Sequence, residues 1–272
     1  MNHLSRHKIG IFDSGLGGLS VLRTIWKEIS NIDFIYFADL NHAPYGRRSK
    51  KEVLTLSTQA FEFLLEKNCH AVVFACNTAT SAAARFLREN HQIPIFGMEP
   101  AVKPAVLENP IETISVFATE LTLREEKFHN LVSSLPTENE VLTVPCEGLA
   151  KLIDEDEWDL AWDLLNQKIR SVYPRSKVFV LGCTHYVFLK ERILYNYPDV
   201  KIYDGNLGTA NHIKKVLCLE NCSDSQNQLD ILLNTSNSHY VHLANRITKT
   251  ITPNFTLSLT NTQVGNLHVQ SN

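Results

Sequence analysis

Short apolar runs that break off at small polar residues, each followed by a stretch of helical periodicity, recur along the whole chain. Strand, turn and helix repeated in this way build parallel sheets flanked by helices. Lys8 to Phe12, Asp33 to Ala38 and Ala71 to Ala75 read as strands. Leu19 to Ile29 and Ser49 to Lys67 read as helices, the second with Val53, Leu56, Ala60, Phe63 and Leu64 at its apolar positions. The run at 93 to 100 is a strand leading into a proline-marked crossing. Beyond it the alternation resumes, with strands at 114 to 117, 140 to 144 and 178 to 181, and helices from Leu123 to Ser134 and from Gly148 to Tyr173. A helix in the segment from Ala210, a strand from Leu229 to Leu233 and a helix near His239 to Thr248 follow. The last fifteen residues or so are polar and are expected to be loosely held.

The two halves resemble each other. Ile9-Gly10-Ile11-Phe12-Asp13-Ser14 aligns with Ile114-Ser115-Val116-Phe117-Ala118-Thr119, and at nearly the same offset Cys76 aligns with Cys183. Each of these cysteines leaves an apolar strand for a small-residue turn, where α/β folds bind their ligands. An internal duplication explains both matches. The fold class expected is α/β: two similar domains of mostly parallel sheet flanked by helices, related by a pseudo-twofold duplication, with the active site in the cleft between them. The first domain is expected to be discontinuous, 1–98 plus 207–272, and the second to span 99–206.

At 272 residues, 44% hydrophobic and 20% charged, the chain has the composition of a globular protein with room for two cores. A net charge of −3 gives no electrostatic case for nucleic acid or an anionic membrane as partner. No run is apolar and long enough to span a bilayer, and Met1 to Lys8 lacks the apolar core of a signal peptide. A cytoplasmic, reducing location is therefore expected, with Cys69, Cys76, Cys146, Cys183, Cys218 and Cys222 as free thiols. Cys218 and Cys222 have no second clustered pair of ligands beside them, so no metal site is expected.

Asp13 to Gly18 admits three uses. Its amides could cradle a phosphate, though the P-loop lysine and full GxGxxG spacing are missing. They could bind a carboxylate, with Ser14 donating and Asp13 facing an amine. The turn could also be purely structural. Cys76-Asn77-Thr78 and Cys183-Thr184-His185 share an order of thiol followed by polar donors at a helix start, a setting that lowers a thiol pKa toward neutrality. One such thiol would suit a nucleophile. Two in equivalent half-domains suit proton removal on one face of a carbon and proton return on the other. No lysine sits in a recognisable pyridoxal setting, so no cofactor is expected.

Four motifs in order, Phe12-Asp13-Ser14-Gly15-Leu16-Gly17-Gly18, Tyr36 to Gly46 ending in Pro44-Tyr45-Gly46, Ala75-Cys76-Asn77-Thr78-Ala79-Thr80 and Leu181-Gly182-Cys183-Thr184-His185-Tyr186, resemble those of the glutamate racemases within the aspartate/glutamate racemase family. The resemblance runs over roughly 8 to 210. It implies a cofactor-independent interconversion of L- and D-glutamate that supplies peptidoglycan synthesis, with Cys76 acting on the D-enantiomer and Cys183 on the L-enantiomer. It further implies that Asp13 and His185 assist the thiols. Substrate would be held by Asp13, Ser14, Tyr45, Gly46, Asn77, Thr78, Thr119, Thr122, Thr184 and His185.

Aspartate racemases share the two cysteines but usually carry Glu after the second Cys-Thr, and His185 favours glutamate. A racemase for another amino acid such as aspartate, or a silent amino-acid-binding protein on the same scaffold, are the alternatives. The sequence leaves the oligomeric state open, a homodimer included. Three positions depart from the family pattern: Ala118 where glycine precedes Thr-x-x-Thr, Glu147 after Cys146 where proline is usual, and Gly205 after Asp204 where serine is common. The acid that ordinarily follows the Cys-Pro is left unassigned between Glu147 and Asp154.

Overall fold

The computed structural model describes residues 7–135, 139–219 and 227–260, except the side chain of Lys127. In chain order the elements are β1 (His7–Asp13), α1 (Leu19–Glu28), β2 (Ile32–Ala38), α2 (Lys50–Glu66), β3 (Ala71–Phe74), α3 (Asn77–Asn90), β4 (Ile95–Gly97), α4 (Val102–Glu108), β5 (Ile114–Ala118), α5 (Glu120–Arg124) and α6 (Glu126–Ser133). There follow β6 (Val141–Pro145), α7 (Leu149–Asp154), α8 (Trp158–Arg170), β7 (Val178–Leu181), α9 (Lys190–Asn196), β8 (Lys201–Asp204), α10 (Asn206–Val216), β9 (Gln228–Leu233), α11 (Ser238–Lys249) and β10 (Thr256–Leu259).

Every strand pairs in parallel. One sheet runs β10-β9-β2-β1-β3-β4 and the other β6-β5-β7-β8. Both contain the same order, second strand, first, third, fourth, so the duplication seen in the sequence is a duplication of topology. β9 and β10 extend only the first sheet. In this order the chain reverses its direction of travel between the first and third strands, which opens a crevice at their carboxyl ends. Asp13 and Cys76 leave that point in one sheet, and Thr119 and Cys183 leave it in the other.

The central strands are mostly apolar and buried because helices cover both faces. Phe12 sits in register with Phe37 on one side and Phe74 on the other, and its ring meets that of Phe74 edge-on at 5.4 Å between centroids. Each fully buried phenylalanine of this kind contributes about 2–3 kcal/mol by burial. Ile9 and Ile11, on the opposite face of β1, pack under α1 and α10 with Leu19, Leu22 and Ile213. Phe117 and Phe179 repeat the aromatic contact in the second sheet at 5.1 Å.

Several elements differ from the sequence expectation. The helix read from Leu123 to Ser134 starts earlier, because the Thr119 side chain caps α5 by accepting the Thr122 amide. It then breaks at Glu125, which is extended and turned inward to pair with Lys50 at 2.6 Å. The stretch from Gly148 to Tyr173, read as more than one helix, does divide, at Asp156, whose φ of 63° follows α7 and whose carboxylate holds Trp158 and Arg246. α10 begins at Asn206 rather than Ala210. β10 is an exposed edge strand whose polar alternation carries little apolar signal. Residues 261–272, most of the tail expected to be loose, lie outside the described residues, as does Cys222. Among the described residues five cysteines are free, and no helix is long and apolar enough to cross a membrane.

Candidate active site

The two strand-end cysteines line a single cavity of about 480 Å³ between the carboxyl ends of the two sheets. Cys76 caps α3: the Ala79 amide donates to its sulfur at 3.4 Å, and the Ser14 hydroxyl lies 3.6 Å away. Those contacts favour a thiolate, as a helix start should. Burial and the nearby Asp13 carboxylate outweigh them and push the thiol up to about 12, so the expectation of a lowered pKa fails at this cysteine. Asp13 itself is fully buried, and desolvation raises it to about 6 against the opposing pull of His185.

Cys183 precedes a 3-10 turn, Thr184–Leu189, rather than an α-helix, and makes no side-chain cap. Its sulfur lies 3.7 Å from His185 Nδ1, and His185 Nε2 lies 3.0 Å from Asp154 Oδ2. Burial works against a charge on this ring, but the Asp154 carboxylate wins and holds its pKa well above the usual histidine value. With a proton on Nε2 the ring donates to Asp154; with both nitrogens protonated it also donates to the sulfur of Cys183. The acid left open between Glu147 and Asp154 is thereby separated by place. Asp154 is buried at the inner end of the cavity, and Glu147 lies at its rim, paired with Arg47 at 3.3 Å.

Two amides of the glycine turn Asp13 to Gly18 are already engaged by carboxylates, and a third, Gly17, can donate to His185 Nε2 only in the tautomer that leaves that nitrogen without a proton. Gly15 donates to Asp13 Oδ1 at 2.8 Å, Leu16 donates to Asp154 Oδ1 at 3.1 Å, and the Gly17 nitrogen stands 3.1 Å from His185 Nε2. A side chain at Gly15 would strike Asp154, and one at Gly17 would strike His185 and Thr184. The turn is bare so that the second sheet's His–Asp pair can seat against it. That argues against the phosphate-cradle use.

The other expected residues fall in two groups. Ser14, Tyr45, Gly46, Asn77, Thr78, Thr119, Thr184 and His185 line the cavity. Asp13 and Thr122 stand behind the wall. Asp13 accepts the Thr184 hydroxyl at 3.2 Å instead of facing the opening. Thr122 joins Thr119 at 2.9 Å and Thr78 at 3.4 Å in a hydroxyl triangle that spans the two sheets. Asn77 Oδ1 is buried without a hydrogen-bond partner, an acceptor held ready at the wall. Cys146 is a third thiol at the cavity; burial pushes it up to about 12, and it donates to the Val144 carbonyl. Among the described residues no cluster of three or more His, Cys, Asp or Glu is placed to hold a metal ion.

The sequence profile of the Asp/Glu/hydantoin racemases matches residues 23–213. Glutamate racemase of Leptospira interrogans serogroup Icterohaemorrhagiae is 44% identical over 246 residues, 88% of this chain and 96% of that protein. The chain belongs to the Asp/Glu/hydantoin racemase family. Glutamate racemase of Clostridium perfringens is 40% identical over 252 residues, covering 90% of this chain and 97% of that one. A solved glutamate racemase isoform from Bacillus anthracis superposes with a TM-score of 0.80 at 26% identity, over 93% of this chain and 97% of that one. The chain is accordingly an isomerase of the racemase kind.

Within that family the three departures have local explanations. Ala118 puts its methyl against Gly182 of the neighbouring strand, where any second side chain would be too close. Glu147 takes a rim ion pair in place of proline's fixed φ. Gly205 starts α10 within 2.9 Å of where its missing Cβ would meet the Glu99 carbonyl, so serine would need this contact to open. Sequence reasoning missed Arg47 and the structural partners of Tyr45. The signal available was the run of charge after Pro44-Tyr45-Gly46, which reads equally well as a solvated surface.

Proposed function

We propose that the chain interconverts L- and D-glutamate without a cofactor, using Cys76 and Cys183 as opposed proton carriers. The observation that carries this reading is that two strand-end sulfurs from duplicated sheets line the same cavity, each with a different proton-handling neighbour. Removing the α-proton of an amino acid leaves a carbanion whose charge spreads into the carboxylate, and fixed donors around that carboxylate stabilise it. Ser14, Asn77, Thr78 and Thr184 supply donors of this kind, and the unpartnered Asn77 Oδ1 would accept from the substrate ammonium.

In the L-to-D direction the Cys183 thiolate takes the α-proton, forming S–H as C–H breaks. The Cys76 thiol gives its proton to the opposite face and becomes the thiolate. The D-to-L direction runs the same steps in reverse. The state that begins the L-to-D direction agrees with Cys76 held as a neutral thiol and Cys183 set beside a charged imidazole. Asp13 acts from behind the wall by orienting Thr184 and by opposing charge on Cys76, and Thr122 acts through Thr119 and Thr78. Closing two lobes over substrate would exclude water and strengthen every polar contact.

The lobes we assign are 1–98 plus 207–272, around the sheet containing β1, and 99–206, around the sheet containing β5. In support, α10 buries Ala210 and Ile213 in the first core, and α4 buries Val102 and Val106 in the second. Supply of D-glutamate to peptidoglycan in the cytoplasm follows from the same reading. The test is exchange of the α-hydrogen in D2O, followed for each enantiomer of glutamate and of aspartate. Exchange with both glutamate enantiomers is expected. Exchange with aspartate alone would assign the other amino acid, and exchange with neither would leave a binding protein.

A further inference from the structure

One wall of the cavity is formed by a short turn rather than by an α-helix or a strand. Tyr45, Gly46 and Arg47 line the opening from a 3-10 turn that follows Pro44, and this turn has no side-chain cap. Its position relative to the second sheet matters, because a Cβ at Gly46 would lie 3.1 Å from the side chain of Thr119. Thr119 in turn bonds Thr78 at 3.0 Å, and Arg47 reaches Glu147 across the mouth. Where this turn sits therefore sets the width of the cavity on that side.

The turn is held by a carboxylate that never reaches the cavity. Asp39, at the end of β2, is buried and accepts the Tyr45 hydroxyl at 2.7 Å, His42 Nδ1 at 2.8 Å and Asn234 Nδ2 at 2.7 Å. Burial and Asp39 both hold the Tyr45 phenol well above its usual pKa, so it remains a donor. Asn234 comes from the far end of the chain, just past β9, and is itself immobilised. Its amide donates to the Ala38 carbonyl at 2.9 Å, its carbonyl accepts from the Asn41 amide at 3.0 Å, and its Oδ1 accepts Asn41 Nδ2 at 3.0 Å. Arg48 closes the other side by donating to the His42 carbonyl at 2.6 Å. A buried carboxylate is poor value for stability alone, since an apolar residue of similar volume avoids the desolvation. Three donors converging on one carboxylate do fix direction.

We infer that Asp39, clamped by Asn234, is a positioning residue for substrate binding that holds the Tyr45-Gly46 turn against Thr119. The inference rests on the racemase reading above, and it gives the β9 extension of the first sheet a role at the site. It separates binding from proton transfer: Asp39, His42 and Asn234 touch neither sulfur, so losing them should loosen substrate without changing the thiols.

The experiment measures kcat and KM for both glutamate enantiomers, with a calorimetric Kd for D-glutamate, in the full-length chain carrying Asp39→Asn, Asn234→Leu or His42→Ala. Far-ultraviolet circular dichroism gives the folded fraction. KM and Kd should rise about tenfold or more in the first two variants and less in His42→Ala, with kcat within about threefold of wild type. A purely structural role would lower apparent kcat in step with the folded fraction and leave KM alone, and that result overturns the inference. If Asp39→Asn and Asn234→Leu fail to fold, His42→Ala decides by the same criterion, because it removes one donor from Asp39 at a half-buried position that does not line the cavity. A wild-type chain that racemises neither enantiomer overturns the racemase reading instead, which keeps the two failures distinct.

Discussion

The Cys76 wall and the Cys183 wall occupy equivalent places in two sheets of the same strand order, yet the two sulfurs have different neighbours. Cys76 is capped by an α-helix amide and a serine hydroxyl, with a buried carboxylate behind it that disfavours charge on sulfur. Cys183 leaves a 3-10 turn and faces an imidazole that Asp154 keeps inclined toward the charged form. In the mechanism proposed above, these different neighbours make Cys76 the proton donor in the L-to-D direction. For a racemase the overall equilibrium constant is unity, so kcat/KM must be equal in the two directions whatever the site does. The asymmetry can appear only in kcat and KM separately, in pH profiles and in isotope distribution.

The strongest way to break the comparison is to remove either sulfur. Cys76→Ser and Cys183→Ser should each lower racemisation by about a thousandfold or more, as loss of a general acid or base does. Polarimetry from each pure enantiomer checks this, and full activity in either variant would refute the pairing. Next in size is the seat of the His–Asp pair. Gly17→Ala drives a methyl into His185 and should lower kcat/KM about a hundredfold. Gly208→Ala meets nothing within 4 Å in α10; activity should hold while the urea midpoint rises by the equivalent of about 0.5–1 kcal/mol.

A subtler probe separates the walls by pH. Asp154→Asn removes the charge that holds His185 up, so the alkaline limb of the kcat profile should move to lower pH. Ser14→Ala, on the other wall, should leave that limb in place. An equal shift in both variants would erase the assignment of His185 to Cys183.

A separate effect is on the pH dependence of stability. Asp13 is raised from 3.8 to about 6 in the folded chain, so the folded state binds the extra proton between those values. Its contribution to stability is greatest below the unfolded value and is lost as pH rises through about 6, a change of up to ~3 kcal/mol. Asp13→Asn should flatten that slope in denaturant titrations across the window, and an unchanged slope would place the proton elsewhere.

Much of this was legible in the sequence because the informative residues are local. Strand-end cysteines, the Ile-x-(Ile/Val)-Phe pattern and the glycine turn each announce their backbone setting within a few residues. What stayed hidden depends on long-range contact. Asp154 and Glu147 look alike along the chain, and only folding puts one against His185 and the other at the rim. Asp39 meets Asn234 only because β9 adds to the edge of β2, a pairing that no periodicity reveals. The lowered pKa expected for Cys76 failed for the same reason, since the helix start is local but Asp13 and the burial are not.

The most direct measurement is the isotope content of both enantiomers at early times in D2O, starting from pure L-glutamate and from pure D-glutamate. Two opposed thiols predict solvent deuterium in the newly formed enantiomer while the remaining substrate keeps its hydrogen. Deuterium entering the remaining substrate as fast as the product would mean that one group works on both faces, and would contradict the account.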